Sequence, residues 1–205
     1  MESNRAITNV ILAGVGGQGV LLISGLLART AIAAGFDAKQ TEIHGVSQRG
    51  GSVYSHVRFG PQVYSPLIIP GQADFILGLE KLEALRFAGY IKPAGLLIVN
   101  DHEVIPRSAG AAAESYPHQS IDYLKSKGLR LIAIPATGLA ADLGNVRVAN
   151  IILLGALSKF LALPESIWND VLNRRIPERF LAINRRAFAL GQQLASEHQT
   201  AKEVV

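Results

Sequence analysis

The sequence predicts an α/β fold: a three-layer α/β/α sandwich with a mostly parallel, Rossmann-like sheet and a helical C-terminal part. Three observations carry this. Short β-branched apolar runs recur along the first two-thirds of the chain, each stopped by Gly, Pro or Asn-Asp. Helix-period segments separate several of them, as parallel βαβ units require. Beyond Gly138 the pattern stays helical to near the end.

Each element has its own local pattern. Ile7 to Ala13 reads as a buried strand ended by glycines. Val20 to Ala34 reads as a helix, closed by Gly35. Asp37 to Ile43 is a second strand. Val53 to Phe59 alternates between two faces and forms a third. Phe75 to Gly78 is short and buried, and Leu79 to Tyr90 is helical, stopped by Lys92-Pro93-Ala94-Gly95. Leu96 to Val99 and Leu129 to Ile134 are further strands. Asn150 to Leu163, Glu165 to Arg174 and Glu178 to Ala195 are helices. Residues 1–195 read as one domain and 196–205 as a frayed polar tail. No repeat or linker divides the chain.

Composition narrows the function. Of 205 residues, 49% are hydrophobic and 18% charged, a soluble globular balance. The net charge of +4 is mild, and aromatics at 6% do not interleave with basic runs, which argues against nucleic acid. There is no cysteine, so the chain cannot form disulfides or ligate an iron–sulfur cluster through thiolates. Its histidines, His44, His56, His102, His118 and His198, show no helical pairing, and no metal site is expected. The N-terminus lacks the order of a signal peptide. Lys159 and Pro164 interrupt the most apolar stretch, "VANIILLGALSKFLALP", so a buried helix is expected rather than a membrane span. A cytoplasmic location is the expectation from these features.

The stretch "NVILAGVGGQGVLLISGLLA", from Asn9, carries Gly14, Gly16 and Gly19 between a strand and a helix. Glycines allow a tight turn there, and the free N–H groups of the helix start favour a phosphate. Glu42 lies about 20 residues further on, the spacing at which a dinucleotide fold places its acidic residue. The pattern therefore admits NAD or FAD, or only a close strand-to-helix turn. The residues around and beyond Glu42 argue against a nicotinamide. In "TEIHGVSQRGGSVYSHVRFG", Gly45, Gly50 and Gly51 break any helix, and the next element is a strand rather than a crossover helix. Glu42 and His44 share one side of an extended segment. Ser47, Gln48 and Arg49 precede the glycine pair, suited to an anion or partner contact or simply to a solvated loop.

Other clusters say less. Asp101-His102-Glu103 is either a ligand or acid–base group, or a helix cap facing water. Arg174-Arg175 and Arg185-Arg186 fit a solvated helical face or a subunit rim. Neither Gly-x-Ser-x-Gly nor a Walker A signature occurs.

"GVGGQGV" at Gly14 to Val20, "EIHGVSQRGGSV" at Glu42 to Val53 and "NIILLGAL" at Asn150 to Leu157 occur in this order. Together they resemble the gamma-type domain of the 2-oxoacid:ferredoxin oxidoreductase family over roughly Thr8 to Ala195. Ser-Gln-Arg-Gly-Gly preceded by Glu-x-His resembles its indolepyruvate subgroup more than its pyruvate and 2-oxoglutarate ones, and the gamma subunit of a pyruvate, 2-oxoglutarate or branched-chain 2-oxoacid enzyme is the alternative within the family. The resemblance implies a reaction. An aryl 2-oxoacid is decarboxylated on thiamine diphosphate, electrons pass through [4Fe–4S] clusters to ferredoxin, and coenzyme A takes the acyl group. It also implies that a large alpha subunit carries thiamine diphosphate and the clusters. This chain would hold no cofactor alone, but would complete the active site and help seat coenzyme A. By the same resemblance, His44 and Arg49 are catalytic candidates. Gly14, Gly16, Gly17, Gln18, Gly19, Glu42, Ser47, Gln48 and Gly50 are candidates for binding. A self-sufficient NAD- or FAD-dependent oxidoreductase is the alternative from the residues alone.

Overall fold

The computed structural model describes residues 7–44, 51–105 and 116–203. Strand β1 (Thr8–Val15) is a near-continuous apolar run, and both its faces are buried. Side chains on a strand alternate in direction. Val10 and Leu12 accordingly join one hydrophobic core, and Ile11 and Ala13 join another on the far side of the sheet.

Around β1 lie β2 (Asp37–His44), β3 (Ser52–Gly60), β4 (Ala73–Gly78), β5 (Ile91–Asn100) and β6 (Arg130–Ile134). Their order across the sheet is β2-β3-β1-β4-β5-β6. The pairs β1–β4, β4–β5 and β5–β6 are parallel, and β3 runs antiparallel between β1 and β2. β2 and β3 are adjacent in the sheet and close in sequence, and antiparallel neighbours need only a short connection whereas parallel ones need a long crossover.

The helices are α1 (Val20–Ala33), α2 (Lys81–Phe87, extended by a 3₁₀ turn to Tyr90), α3 (Ser120–Ser126), α4 (Ala136–Asp142), α5 (Ala149–Ser158), α6 (Glu165–Arg175) and α7 (Glu178–Glu203). Helices α1 and α5 cover the face carrying Val10 and Leu12, and α2 and α3 cover the other. Every residue of α5 from Asn150 onward is buried, because the sheet lies on one side and α7 on the other. Gly155 and Gly191 permit that contact. A Cβ on Gly155 would strike the Phe188 carbonyl, and one on Gly191 the Ile152 carbonyl.

Several boundaries differ from the sequence reading. The helix expected from Leu79 starts at Lys81, where the Glu80 side chain accepts from the Glu83 N–H at 2.9 Å and caps it. Lys92 to Gly95 do not form a stop but lie within β5, with Ala94 at φ 62°. The first C-terminal helix ends at Ser158, short of Leu163. The last runs to Glu203 rather than fraying from Ser196. Within it Ser196 donates to the Gln192 carbonyl at 3.0 Å and Gln193 to Glu197 at 2.9 Å, so the polar sequence sustains one face of the helix. The short helix α3 has no clear periodicity in the sequence, whereas α4 overlaps the stretch beyond Gly138 that reads as helical. No helix among the described residues is long and apolar enough to cross a membrane.

Candidate functional site

The glycine turn sits at the carboxyl end of β1. There the chain leaves for β2 on one side of the sheet, while β4 lies on the other. Such a switch point opens a crevice above the strand ends. A cavity of about 200 Å³ occupies it. Gly17 and Gln18 line it after β1, Leu79 after β4, Asn100 and His102 at the end of β5, Thr137 on α4, and Arg147 and Asn150 at the start of α5.

Gly17 and Gly19 both have positive φ, 101° and 80°, a conformation in which a side chain is strained. Gly19 caps α1 without a side-chain hydrogen bond, so the first N–H groups of the helix lack an internal partner. Gln18 braces the turn. Its Oε1 accepts from the Val15 N–H at 2.8 Å, and its Nε2 donates to the Leu79 carbonyl at 3.2 Å. Asn150 Nδ2 donates to the Gln18 carbonyl at 3.0 Å. A Cβ on Gly19 would collide with that Nδ2.

The far wall is also hydrogen-bonded. Asn100 Nδ2 donates to the Leu79 carbonyl at 3.1 Å and to Thr137 Oγ1 at 2.9 Å. Asn150 is only 6% exposed, yet its Oδ1 has no partner among the described residues. Buried polar atoms are rarely left this way, and an orphaned acceptor lining a crevice marks where a ligand N–H or O–H would go. Arg147 supplies a cation on the same rim.

The structure brings part of the sequence candidates together. Gly16, Gly17, Gln18 and Gly19 form the turn itself, and Gly14 lies just before it in β1. The Gly16 N–H donates to the Gly51 carbonyl at 2.9 Å, so the turn touches the residue that enters β3. His44 ends β2 opposite Val53, and Gly14 also pairs with Val53. The two sequence motifs therefore converge on one end of the sheet. Ser47, Gln48, Arg49 and Gly50 lie outside the described residues. Glu42 is on the edge strand, with β3 between it and β1. In a dinucleotide fold the acidic strand is the immediate neighbour of the glycine strand. Here it is displaced by one further strand, about 4.8 Å, which removes the geometric support for NAD or FAD.

Asp101 and Glu103 are structural. Lys81 Nζ lies 2.7 Å from Asp101 and 3.2 Å from Glu103, and the Asp101 hydrogen bond raises the Lys81 pKa. Burial pushes the Glu103 carboxyl up, but hydrogen bonds from His118, at 2.8 Å, and Lys81 hold it below its ordinary value. His102, between them in sequence, instead lines the cavity. Asn100, Thr137 and Arg147 had no signal in the sequence beyond their positions at element ends. Asn150 opens the "NIILLGAL" run, and nothing in that apolar run signals a role for its amide. Among the described residues, no group of three or more His, Asp or Glu could hold a metal ion.

The fold and crevice define a class: an open α/β domain with a polar-rimmed crevice at its switch point, without the strand neighbour that a dinucleotide needs. The chain belongs to the pyruvate ferredoxin/flavodoxin oxidoreductase family, whose model matches residues 9–194. It is 37% identical over 196 residues to the indolepyruvate oxidoreductase subunit IorB of Thermococcus kodakarensis, covering 92% of this chain and 96% of that one. The keto/oxoacid ferredoxin oxidoreductase gamma subunit from Geobacter sulfurreducens superposes with a TM-score of 0.70 at 25% identity, over 93% of this chain and 99% of that one. A 2-oxoglutarate:ferredoxin oxidoreductase from Magnetococcus marinus, solved with 2-oxoglutarate, coenzyme A and succinyl-CoA bound, shares the fold. Its TM-score is 0.72 at 22% identity, over 93% of this chain and 31% of that one.

Proposed function

We propose that the chain is the small subunit of a 2-oxoacid:ferredoxin oxidoreductase acting on indolepyruvate or a related aryl pyruvate. In this reading the switch-point crevice seats part of coenzyme A. A larger subunit holds thiamine diphosphate and the [4Fe–4S] clusters and passes electrons to ferredoxin. The observation that carries the coenzyme A assignment is the crevice itself. It combines a helix start with unpaired N–H groups, the Arg147 guanidinium and the unpartnered Oδ1 of Asn150. Coenzyme A offers phosphates to the first two and amino and hydroxyl donors to the third. The cluster assignment to a partner rests on chemistry: a chain with no cysteine has no thiolates to ligate iron. Similarity to an indolepyruvate oxidoreductase subunit along nearly the whole chain supports the substrate class.

The test is reconstitution. The larger subunit is assayed for ferredoxin reduction with and without this chain, on indolepyruvate, pyruvate and 2-oxoglutarate, over a coenzyme A titration. Indolepyruvate-dependent reduction that needs both chains is expected. Oxidation of any 2-oxoacid by this chain alone, or full activity of the larger subunit without it, would refute the reading. A preference for pyruvate or 2-oxoglutarate would move the chain to another branch of the same family.

A further inference from the structure

The outward face of α1 carries an apolar stripe that the fold leaves uncovered. Leu22, Gly25, Arg29 and Ile32 recur at the helical spacings that align side chains along one face. Leu22 is 42% exposed and Ile32 57%. Gly25 is the informative member. Glycine is the poorest helix former after proline, yet a Cβ at Gly25 would meet nothing within 4 Å. Nothing among the described residues requires a glycine there. A bare backbone between an exposed leucine and an exposed isoleucine is what allows a second helix to pack closely, since side-chain size at the crossing sets the distance between helix axes.

The stripe ends in an open groove of about 240 Å³ between α1 and α6, lined by Arg29, Ile32, Ala33, Val171, Arg174 and Arg175. Ile32, Ala33 and Val171 make its apolar part, and the three arginines frame them. None of the three guanidinium groups has a carboxylate or hydrogen-bond partner among the described residues. The C-terminal dipole of α6 accounts for Arg174 and Arg175 in its last turn. It does not account for Arg29, which precedes the last turn of α1.

We propose that the stripe and groove form the docking surface for a helix of the larger subunit. That helix is apolar along the side facing Leu22, Gly25 and Ile32, and carries carboxylates where it reaches Arg29, Arg174 and Arg175. Guanidinium groups fork onto carboxylates, and beside an apolar surface that excludes water the attraction is strengthened. A second copy of this chain is disfavoured, because neither the stripe nor the groove lining carries a carboxylate to meet its guanidinium groups. Since α1 begins at the glycine turn, a helix held on this stripe also brings the larger subunit to the edge of the crevice. The inference rests on the reading of the chain as one subunit beside a larger one.

The test measures affinity for the larger subunit with three chains: wild type, Gly25→Leu, and the double variant Arg174→Glu, Arg175→Glu. Gly25→Leu places a better helix former in open space, so the melting temperature of the chain should hold or rise while association weakens. Each variant is expected to raise Kd about tenfold or more, and the charge variant also to flatten the dependence of Kd on salt. Wild type that fails to bind the larger subunit would overturn the subunit reading itself. Wild type that binds while both variants stay within about twofold of it would overturn the docking surface alone. Two further outcomes would also overturn it in favour of another occupant. One is binding of wild type to anionic lipid vesicles that the charge variant abolishes, with subunit affinity unchanged. The other is a dimer of this chain that Gly25→Leu dissociates.

Discussion

Asn150 donates its side-chain N–H to the carbonyl of Gln18 at 3.0 Å, joining segments 132 residues apart. One hydrogen bond thus fixes the start of α5 against the glycine turn. The missing Cβ of Gly19 leaves the space through which the amide reaches. The two walls of the crevice are therefore set relative to each other by a side chain whose other polar atom, Oδ1, stays unsatisfied. A residue that commits one half of its amide to structure and leaves the other half open is a candidate for both stability and binding.

Asn150→Ala should separate those roles. It strands the Gln18 carbonyl and removes the orphan acceptor together. Losing a partnered group in a buried setting costs about 1–3 kcal/mol, so a lower melting temperature is expected by calorimetry. Coenzyme A binding to the assembled complex, measured by titration calorimetry, should weaken as well. Asn150→Asp should destabilise further, since it turns a carboxylate toward a carbonyl. Full stability and unchanged coenzyme A affinity in the alanine variant would remove Asn150 from both roles.

Much of the crevice was legible because its first wall is local. Gly14 to Gly19 announce a strand-to-helix turn through their own backbone chemistry, and Gln18 lies within it. The opposite wall is not local. Asn100, His102, Thr137 and Arg147 reach the crevice only because β4, β5 and β6 stack beside β1 in parallel, an arrangement set by burial of Ile76, Leu97 and Ile98 rather than by any spacing between the polar residues. The same limit explains the boundaries. Lys92 to Gly95 carry breaker chemistry, yet Ile91 pairs with Ala73 and Leu96 with Phe75, so the ladder continues past an irregularity. The C-terminal tail reads as polar because one face of α7 is solvated, while Ala187, Phe188 and Ala195 on the other face are buried.

Gly17→Ala and Gly19→Ala form a matched pair. Both positions have positive φ, so each substitution carries a conformational cost of roughly 1–2 kcal/mol. A Cβ at Gly17 meets nothing within 4 Å, whereas one at Gly19 runs into Asn150. Gly19→Ala should therefore be the more damaging of the two in urea unfolding. It should also lose coenzyme A affinity that Gly17→Ala keeps. Equal effects of the two would mean that the Gly19–Asn150 contact carries no weight.

Gly191→Ala tests the scaffold behind the crevice. Its Cβ would enter the Ile152 carbonyl, so α7 must move off α5. Backbone cannot yield as a flexible side chain can, and overpacking of this kind costs about 1–3 kcal/mol or more. The start of α5, with Arg147 and Asn150, should shift with it. Loss of stability is expected together with weaker coenzyme A binding. A melting temperature equal to wild type would show that the two helices have slack.

The last prediction concerns pH. His56 on β3 is 3% exposed, and its Nδ1 accepts from the Ile68 N–H at 3.1 Å, while its Nε2 has no partner among the described residues. Tyr54 and Tyr90 flank the ring at 5.5 and 5.9 Å between centroids. Burial holds its pKa below the ordinary histidine value. In the unfolded chain the same group titrates near about 6.5. Between the two values the unfolded state binds more protons than the folded one, so stability rises with pH across that window. The contribution of neutral His56 is thus fully present above about pH 6.5 and is lost as pH falls toward and through the folded value, where protonation also breaks the bond from Ile68. His56→Asn keeps an acceptor on the side chain but does not titrate. Its urea midpoint should lie below wild type at about pH 8 and should lack the part of the acid-side decline due to this group, so the gap between the two proteins narrows as pH drops through about 6.5. Parallel midpoints for wild type and variant from about pH 8 to about pH 5 would mean that His56 is not the group whose protonation destabilises this fold.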